Sequence, residues 1–118
     1  MVRPSAGECP IEAAMTVIGG KWKVSILWVL DKRPFRFGEL RRSMPGLTEK
    51  VLASHLREME QDGVVRREVF DEVPPRVEYS LTERGTALNT ALKPLGAWGR
   101  ENVLGQRPPA TLSTAPVV

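Results

Sequence analysis

Cysteine is nearly absent from this sequence, with Cys9 alone among 118 residues. A single thiol excludes an internal disulfide and any cysteine-rich metal site, and it suits a reducing cytoplasm. Histidine is equally scarce: His55 stands alone, beside a run of core positions and without a partner cluster. There is no metal-ligand spacing, no glycine-rich loop to cradle a phosphate, and no third group to join Cys9 and His55 in a catalytic constellation. The expectation is a protein without metal or cofactor and without enzymatic activity. No apolar run approaches the roughly 18 residues of a membrane span, and the opening "MVRPSAGECP" lacks the apolar stretch of a secretory signal. At this length the chain is expected to form one domain, with too small a core for a large enzyme pocket.

What the sequence does have is charge, unevenly placed. The whole chain carries 17 Lys/Arg against 14 Asp/Glu, a net of only +3. Between Lys32 and Arg67, however, nine basic residues (32, 33, 36, 41, 42, 50, 57, 66, 67) face five acidic ones (39, 49, 58, 60, 62). The positive excess is concentrated in one third of the chain, as an anion-binding surface requires. A solvated surface of mixed charge would also accommodate it.

The first eight residues read as a flexible arm (1–8), followed by one domain over 9–104 and a disordered tail over 105–118, "GQRPPATLSTAPVV", which has no periodicity. Pro10 suits a first helical position because it needs no amide donor there. Ile11, Ala14, Met15 and Ile18 follow at helical spacing until Gly19-Gly20 stops the helix. A second helix is predicted from about Lys21 to Asp31, with Trp22, Ile26, Val29 and Leu30 as its buried face, and Pro34 ends it. A short helix from Phe37 to Ser43 turns Phe37, Leu40 and Met44 inward. Pro45-Gly46 makes a tight turn, and Thr48 caps a longer helix that ends at Gly63. Leu52, Leu56 and Met59 give that helix an apolar seam. Strands follow at Val64–Phe70 and Val77–Leu81, the second with Val77, Tyr79 and Leu81 on one side and Glu78 and Ser80 on the other. Thr82 caps a last helix to about Asn102, bearing Leu88, Leu92, Leu95 and Trp98 on one side and Pro94 as an expected kink.

Two short helices joined by a tight turn form a helix-turn-helix, and a hairpin directly after it completes a winged helix. The predicted fold class is therefore α+β, mainly α. The long helix has an outward side that carries Thr48, Glu49, Lys50, Ala53, Ser54 and Arg57. Residues near the start of such a helix reach base edges when it is presented to a major groove. Lys50 and Arg57 can read guanine or bind phosphate, and Thr48 and Ser54 can donate to either. Arg36, Arg41 and Arg42 around the preceding helix, with Lys21 and Lys23 at the start of the second, are candidate phosphate clamps. A polar solvated face is the plain alternative, and a winged helix that docks proteins without touching DNA is the alternative function.

The segments "IGGKWKVSILWVL", "RPFRFGELRRSMPGLTEKVLASHLREMEQDGVVRREVF" and "EVPPRVEYSLTERG" resemble the HxlR family of winged-helix transcriptional regulators, relatives of the MarR group. The likeness runs from about Cys9 to Arg100, and Gly19-Gly20-Lys21-Trp22, Pro45-Gly46, Asp62-Gly63 and Val73-Pro74-Pro75-Arg76-Val77-Glu78-Tyr79 carry it. The resemblance implies a cytoplasmic homodimer bound to double-stranded DNA at a near-palindromic operator, most simply as a repressor. Recognition helices would enter successive major grooves and wings the flanking minor grooves. It also implies that the first and last helices build the dimer interface, through Ile11, Met15, Leu88, Leu92, Leu95 and Trp98. Read from spacing alone, the Leu88–Trp98 stripe suits a core face equally well.

Cys9 precedes a helix, where the dipole and free amides favour a thiolate, while Glu8 and Glu12 oppose that by like charge. An inert thiol is one reading. The resemblance implies the other, a cysteine that senses a small electrophile or oxidant by intersubunit disulfide, mixed disulfide or alkylation. At the hairpin tip, "DEVPPR" sets two acids against the idea of a DNA contact. A narrow minor groove needs only one or two cations, so Arg76 is the candidate, stiffened by Pro74-Pro75 and held by Asp71 or Glu72.

Overall fold

The computed structural model describes residues 9–106. The arm at 1–8 and all of the tail beyond Gln106 lie outside the described residues. Helices α1 (Pro10–Ile18), α2 (Lys23–Leu30), α3 (Phe37–Ser43) and α4 (Glu49–Gln61) lead to the antiparallel hairpin β1 (Val65–Phe70) and β2 (Arg76–Leu81). Helix α5 (Glu83–Asn102) and a short 3-10 turn at Leu104–Gln106 close the domain. The mainly helical α+β winged helix-turn-helix is the fold observed. Gly105 and Gln106, read as the start of a disordered tail, instead continue into that turn.

Local chemistry sets the element ends. Cys9 is the extended N-cap of α1 with proline behind it, so the missing amide of Pro10 falls where none is needed. The Arg36 amide donates to the Glu39 carboxylate at 2.9 Å, closing the first turn of α3. That bond, followed by the nearby Arg33 guanidinium, holds the Glu39 carboxyl below its ordinary value. Thr48 Oγ1 accepts from the Val51 amide at 3.2 Å at the start of α4. At its other end Gly63 adopts φ +78°, a left-handed conformation that lets the chain leave the helix and enter β1.

One threonine joins the start of α5 to the turn between α4 and β1. Thr82 Oγ1 accepts from the Gly85 amide at 3.0 Å and donates to the Gly63 carbonyl at 2.6 Å, while the Thr82 amide donates to the Val64 carbonyl at 3.2 Å. The start of α5 is thereby clasped to the turn between α4 and β1. The approach is so close that a Cβ on Gly85 would run into the Val64 carbonyl.

The core gathers Ile26, Leu27 and Leu30 of α2, Leu40 of α3 and Leu52, Leu56 and Met59 of α4, closed by Met44, Leu47, Val64 and Val65. Each such side chain removed from water contributes about 1.5–3 kcal/mol. Helix α2 begins at Lys23 rather than Lys21, and it is buried almost all round rather than on one face: Lys23, Ser25 and Leu27 are as enclosed as Ile26, Val29 and Leu30. Trp22 precedes the helix and is half-buried. A buried Asn89 on α5, 1% exposed, donates to the Leu27 carbonyl at 3.1 Å and ties the last helix to this central one. Helix α5 runs on through Pro94.

The hairpin register pairs Val65 with Leu81, Arg67 with Tyr79, Glu68 with Glu78 and Phe70 with Arg76. The strong alternation expected for β2 is muted, since all six of its residues are half-buried. Tyr79 and Leu81 nonetheless pack on the core. A third segment, unforeseen in the sequence, pairs beside β2: Phe35 and Tyr79 exchange both backbone hydrogen bonds, at 2.9 and 2.8 Å. Proline at 34 ends α2, and the next residue is thus spent as a one-residue strand.

Candidate nucleic-acid interface

Helix α4 separates its two faces cleanly. Leu52, Leu56 and Met59 are 0–1% exposed, so the seam fixes which side turns outward. Thr48, Lys50 and Arg57 are exposed on that outward side, and Ser54 is half-buried beside them. On α3 and its cap, Arg36, Arg41 and Arg42 are exposed as well. Arg41 reaches across to Glu49 at 3.7 Å, linking the two helices of the helix-turn-helix. Among the described residues, none of Arg36, Arg42, Lys50 and Arg57 is ion-paired. These four cations are therefore available to an outside anion at little desolvation cost.

The basic candidates at the start of α2 separate. Lys21 is exposed, with its Nζ 5.1 Å from the centre of the Trp22 ring. Lys23 is not a surface clamp: its side chain is 8% exposed and its Nζ lies 2.6 Å from Glu58 Oε1 on α4. Buried and already paired, its ammonium is not presented to a phosphate at the surface. The hydrogen bond from Lys23 holds the Glu58 carboxyl below its ordinary value.

At the wing, Arg76 is held as the acidic tip suggested, and more firmly. Its Nη2 lies 3.1 Å from Glu72, its Nε 3.6 Å from Glu78, and its guanidinium stacks 4.1 Å from the centre of the Phe70 ring. Glu72 rather than Asp71 makes the pair at the tip, and Glu78, two residues along β2 on the same face, joins it. The Nε is buried without a hydrogen bond. Two further cations, Arg66 and Arg67 on β1, stand exposed beside the hairpin. They belong to the basic segment between Lys32 and Arg67, but strand alternation alone does not say which side of β1 is covered.

The apolar candidates also divide. Leu88 and Leu92 are half-buried and pack on the core. Ile11 at 72%, Met15 at 49%, Leu95 at 60% and Trp98 at 59% exposure remain open. Between α1, α2 and α5 an apolar groove of about 230 Å³ is lined by Met15, Ile18, Val24, Trp28, Leu92 and Leu95. Open apolar surface of this kind can receive a partner or a ligand. Cys9 is half-buried at the end of α1. His55 sits half-buried on α4, its Nδ1 without a hydrogen-bond partner among the described residues.

Comparison with known proteins agrees with this geometry. The HTH-type transcriptional regulator YybR of Bacillus subtilis is 44% identical over 101 residues, covering 86% of this chain and 81% of the relative. The redox regulator HypR in its reduced form superposes with a TM-score of 0.76 at 42% identity, over 84% of this chain and all of that one. The reduced form of the transcriptional regulator YodB from B. subtilis matches with a TM-score of 0.76 at 37% identity, over 84% of this chain and 98% of that one. Residues 17–107 match the model of the HxlR-like helix-turn-helix proteins. A winged helix-turn-helix with an exposed basic face on α4, over a chain matched across most of its length, makes this a DNA-binding transcriptional regulator of the HxlR-like helix-turn-helix family.

Proposed function

We propose that the chain acts as a homodimeric repressor that reads a near-palindromic operator through α4 and responds to redox or electrophile stress through Cys9. The observation that carries the reading is the outward face of α4 with Lys50 and Arg57, flanked by Arg42 and Arg36, all exposed and none ion-paired among the described residues. Lys50, Ser54 and Arg57 address base edges from the major groove, with Thr48 at the helix start. Lys21, Arg36, Arg41 and Arg42 bind phosphates and fix the register. Arg76 enters the flanking minor groove by exchanging Glu72 for the DNA. Helices α1 and α5 pair with a second copy through Ile11, Met15, Leu95 and Trp98, with Leu88 and Leu92 backing the contact from the core side. A chromosomal operator sets the compartment as the cytoplasm.

The redox part rests on Cys9, half-buried at the N-cap of α1, next to the helix assigned to the dimer contact. With one thiol per chain, an oxidant such as diamide can join two Cys9 thiols across the dimer or to a small thiol, and an electrophile can alkylate the thiolate. Two solved relatives being redox-state structures supports the same reading. Selection of bound sequences from random DNA, with reduced and with diamide-treated protein, tests the whole proposal. The expected result is a palindromic consensus with half-sites about one helical turn apart, lost or weakened on oxidation. Cys9→Ser should bind the same consensus and lose the response; an unchanged response in that variant overturns the sensor role. Arg57→Ala should cost about 1–3 kcal/mol at the consensus, whereas Arg42→Ala should weaken all sequences alike and flatten the salt slope by about one. Equal effects of both on random DNA overturn the division between base and phosphate contacts.

A further inference from the structure

We propose that Lys23 is a positioning residue for DNA recognition, whose buried bond to Glu58 fixes the rotational setting of α4 and so aims Ser54 and Arg57 at the groove. The proposal rests on the reading of α4 as the recognition helix. Lys23 is the first residue of α2, with a side chain 8% exposed, and it meets Glu58 at 2.6 Å at the floor of a cleft lined by Thr16, Gly19, Gln61 and Asp62. Glu58 keeps half of its side-chain surface exposed. The bond therefore crosses from the enclosed centre of the domain to the side of the reading helix.

Apart from the exposed and longer Arg41–Glu49 pair at its first turn, at 3.7 Å, the rest of the attachment of α4 is apolar. Leu52, Leu56 and Met59 hold it at a set depth in the core, but hydrophobic burial is non-directional, and unbranched Met59 adapts to small shifts. A charge-assisted hydrogen bond is directional and short. Side-chain tips stand about 5–6 Å from a helix axis, so a rotation of about 10° moves them by about 1 Å. That displacement exceeds the width of the hydrogen-bond distance range. Glu58 adjoins Arg57 and lies one turn beyond Ser54, so the tether acts nearest the residues assigned to the bases. An apolar side chain of lysine's length would fill the same space without burying an ammonium, and the half-exposed Glu58 left behind keeps its water, so the exchange costs little stability. The charged pair thus contributes orientation above all, with only a small share of stability.

The test compares the full chain with Lys23→Met, Lys23→Arg and Glu58→Gln, by fluorescence anisotropy against the selected consensus duplex and a random duplex of equal length. Thermal unfolding is followed in parallel. Lys23→Met and Glu58→Gln should bind the consensus about tenfold more weakly, the worth of one base contact, with random-duplex affinity unchanged. Lys23→Arg should restore most of the loss. Should Lys23→Met fail to fold, Glu58→Gln carries the test, because Glu58 is half-exposed. Wild-type affinity for the consensus in both variants, or an equal loss on consensus and random DNA, overturns the proposal. If Arg57→Ala has no effect on the consensus either, the reading of α4 as the recognition helix falls, and this inference with it.

Discussion

The same substitution, glycine to alanine, is expected to act with opposite signs at two helical positions. Gly85 lies in the first turn of α5, where an added Cβ would overlap the Val64 carbonyl. Relief requires the helix start to move away from β1, and that movement pulls on the Thr82 hydroxyl, which bridges Gly63 and Gly85 at 2.6 and 3.0 Å. Overpacking costs about 1–3 kcal/mol, and a strained hydrogen bond adds about 1 kcal/mol. Alanine's helix propensity returns about 1 kcal/mol. The net loss is about 1–3 kcal/mol, which lowers the unfolding temperature by roughly 5–20 °C for a domain of this size. Gly38 lies in the first turn of α3, exposed, and its added Cβ would meet only the tip of the Arg42 side chain, at 3.5 Å. There Gly38→Ala should gain about 0.4–1 kcal/mol by narrowing the unfolded ensemble. Thermal unfolding by circular dichroism of both variants at one protein concentration decides the matter. A Gly85→Ala protein as stable as wild type would refute the claim that the clasp between α5 and Val64 admits no side chain.

Three further outcomes follow from the same geometry. Glu58 has its carboxyl held down by Lys23, so the stability this pair contributes is present above the ordinary value of 4.5 and lost as pH falls through the lower folded value. Unfolding temperature against pH should therefore drop more steeply on the acid side for wild type than for Glu58→Gln; since Glu58 is half-exposed, the difference stays within about 1 kcal/mol. Glu72→Gln removes one carboxylate from Arg76 and from the path of the phosphates. It should tighten binding to both consensus and random duplex by up to about fivefold, and weaker binding would show that Glu72 orients Arg76 rather than restraining it. Thr48→Ala removes the oxygen that accepts the Val51 amide and should cost about 1 kcal/mol in chemical denaturation.

Much of the fold was legible because its punctuation is local. Pro10, Thr48, Gly63 and Thr82 each mark an element end through chemistry confined to a few neighbouring residues, and the structure places ends beside all four. The seam of α4 was equally clear, since Leu52, Leu56 and Met59 repeat at helical spacing over a polar background. Features set by distant contacts were hidden. Nothing within "KWKVSILWVL" says that Lys23 is buried, because its partner lies 35 positions away at Glu58. Helix α2 has no polar side to read, as a helix enclosed by its neighbours need not have one. The Phe35–Tyr79 bridge depends on a single residue after a proline, too short for any alternation to show. The Leu88–Trp98 stripe read as one face, yet it divides between core and surface, since spacing gives the side of a helix and not how far along it a neighbour extends.

That bridge also settles which strand of the wing stands at the margin. With Phe35 bonded on one flank of β2 and β1 on the other, β2 is interior at Tyr79 and β1 is the outer edge. An outer edge offers unpaired amides and carbonyls to any extended chain it meets, and natural sheets blunt it with charge. Here the middle of β1 is Arg66-Arg67-Glu68, all exposed. An incoming strand would have to strip water from three charged side chains in succession. The cations that enrich this part of the chain thus also act as gatekeepers against self-templated aggregation, and neutralising them would endanger solubility before it altered the fold.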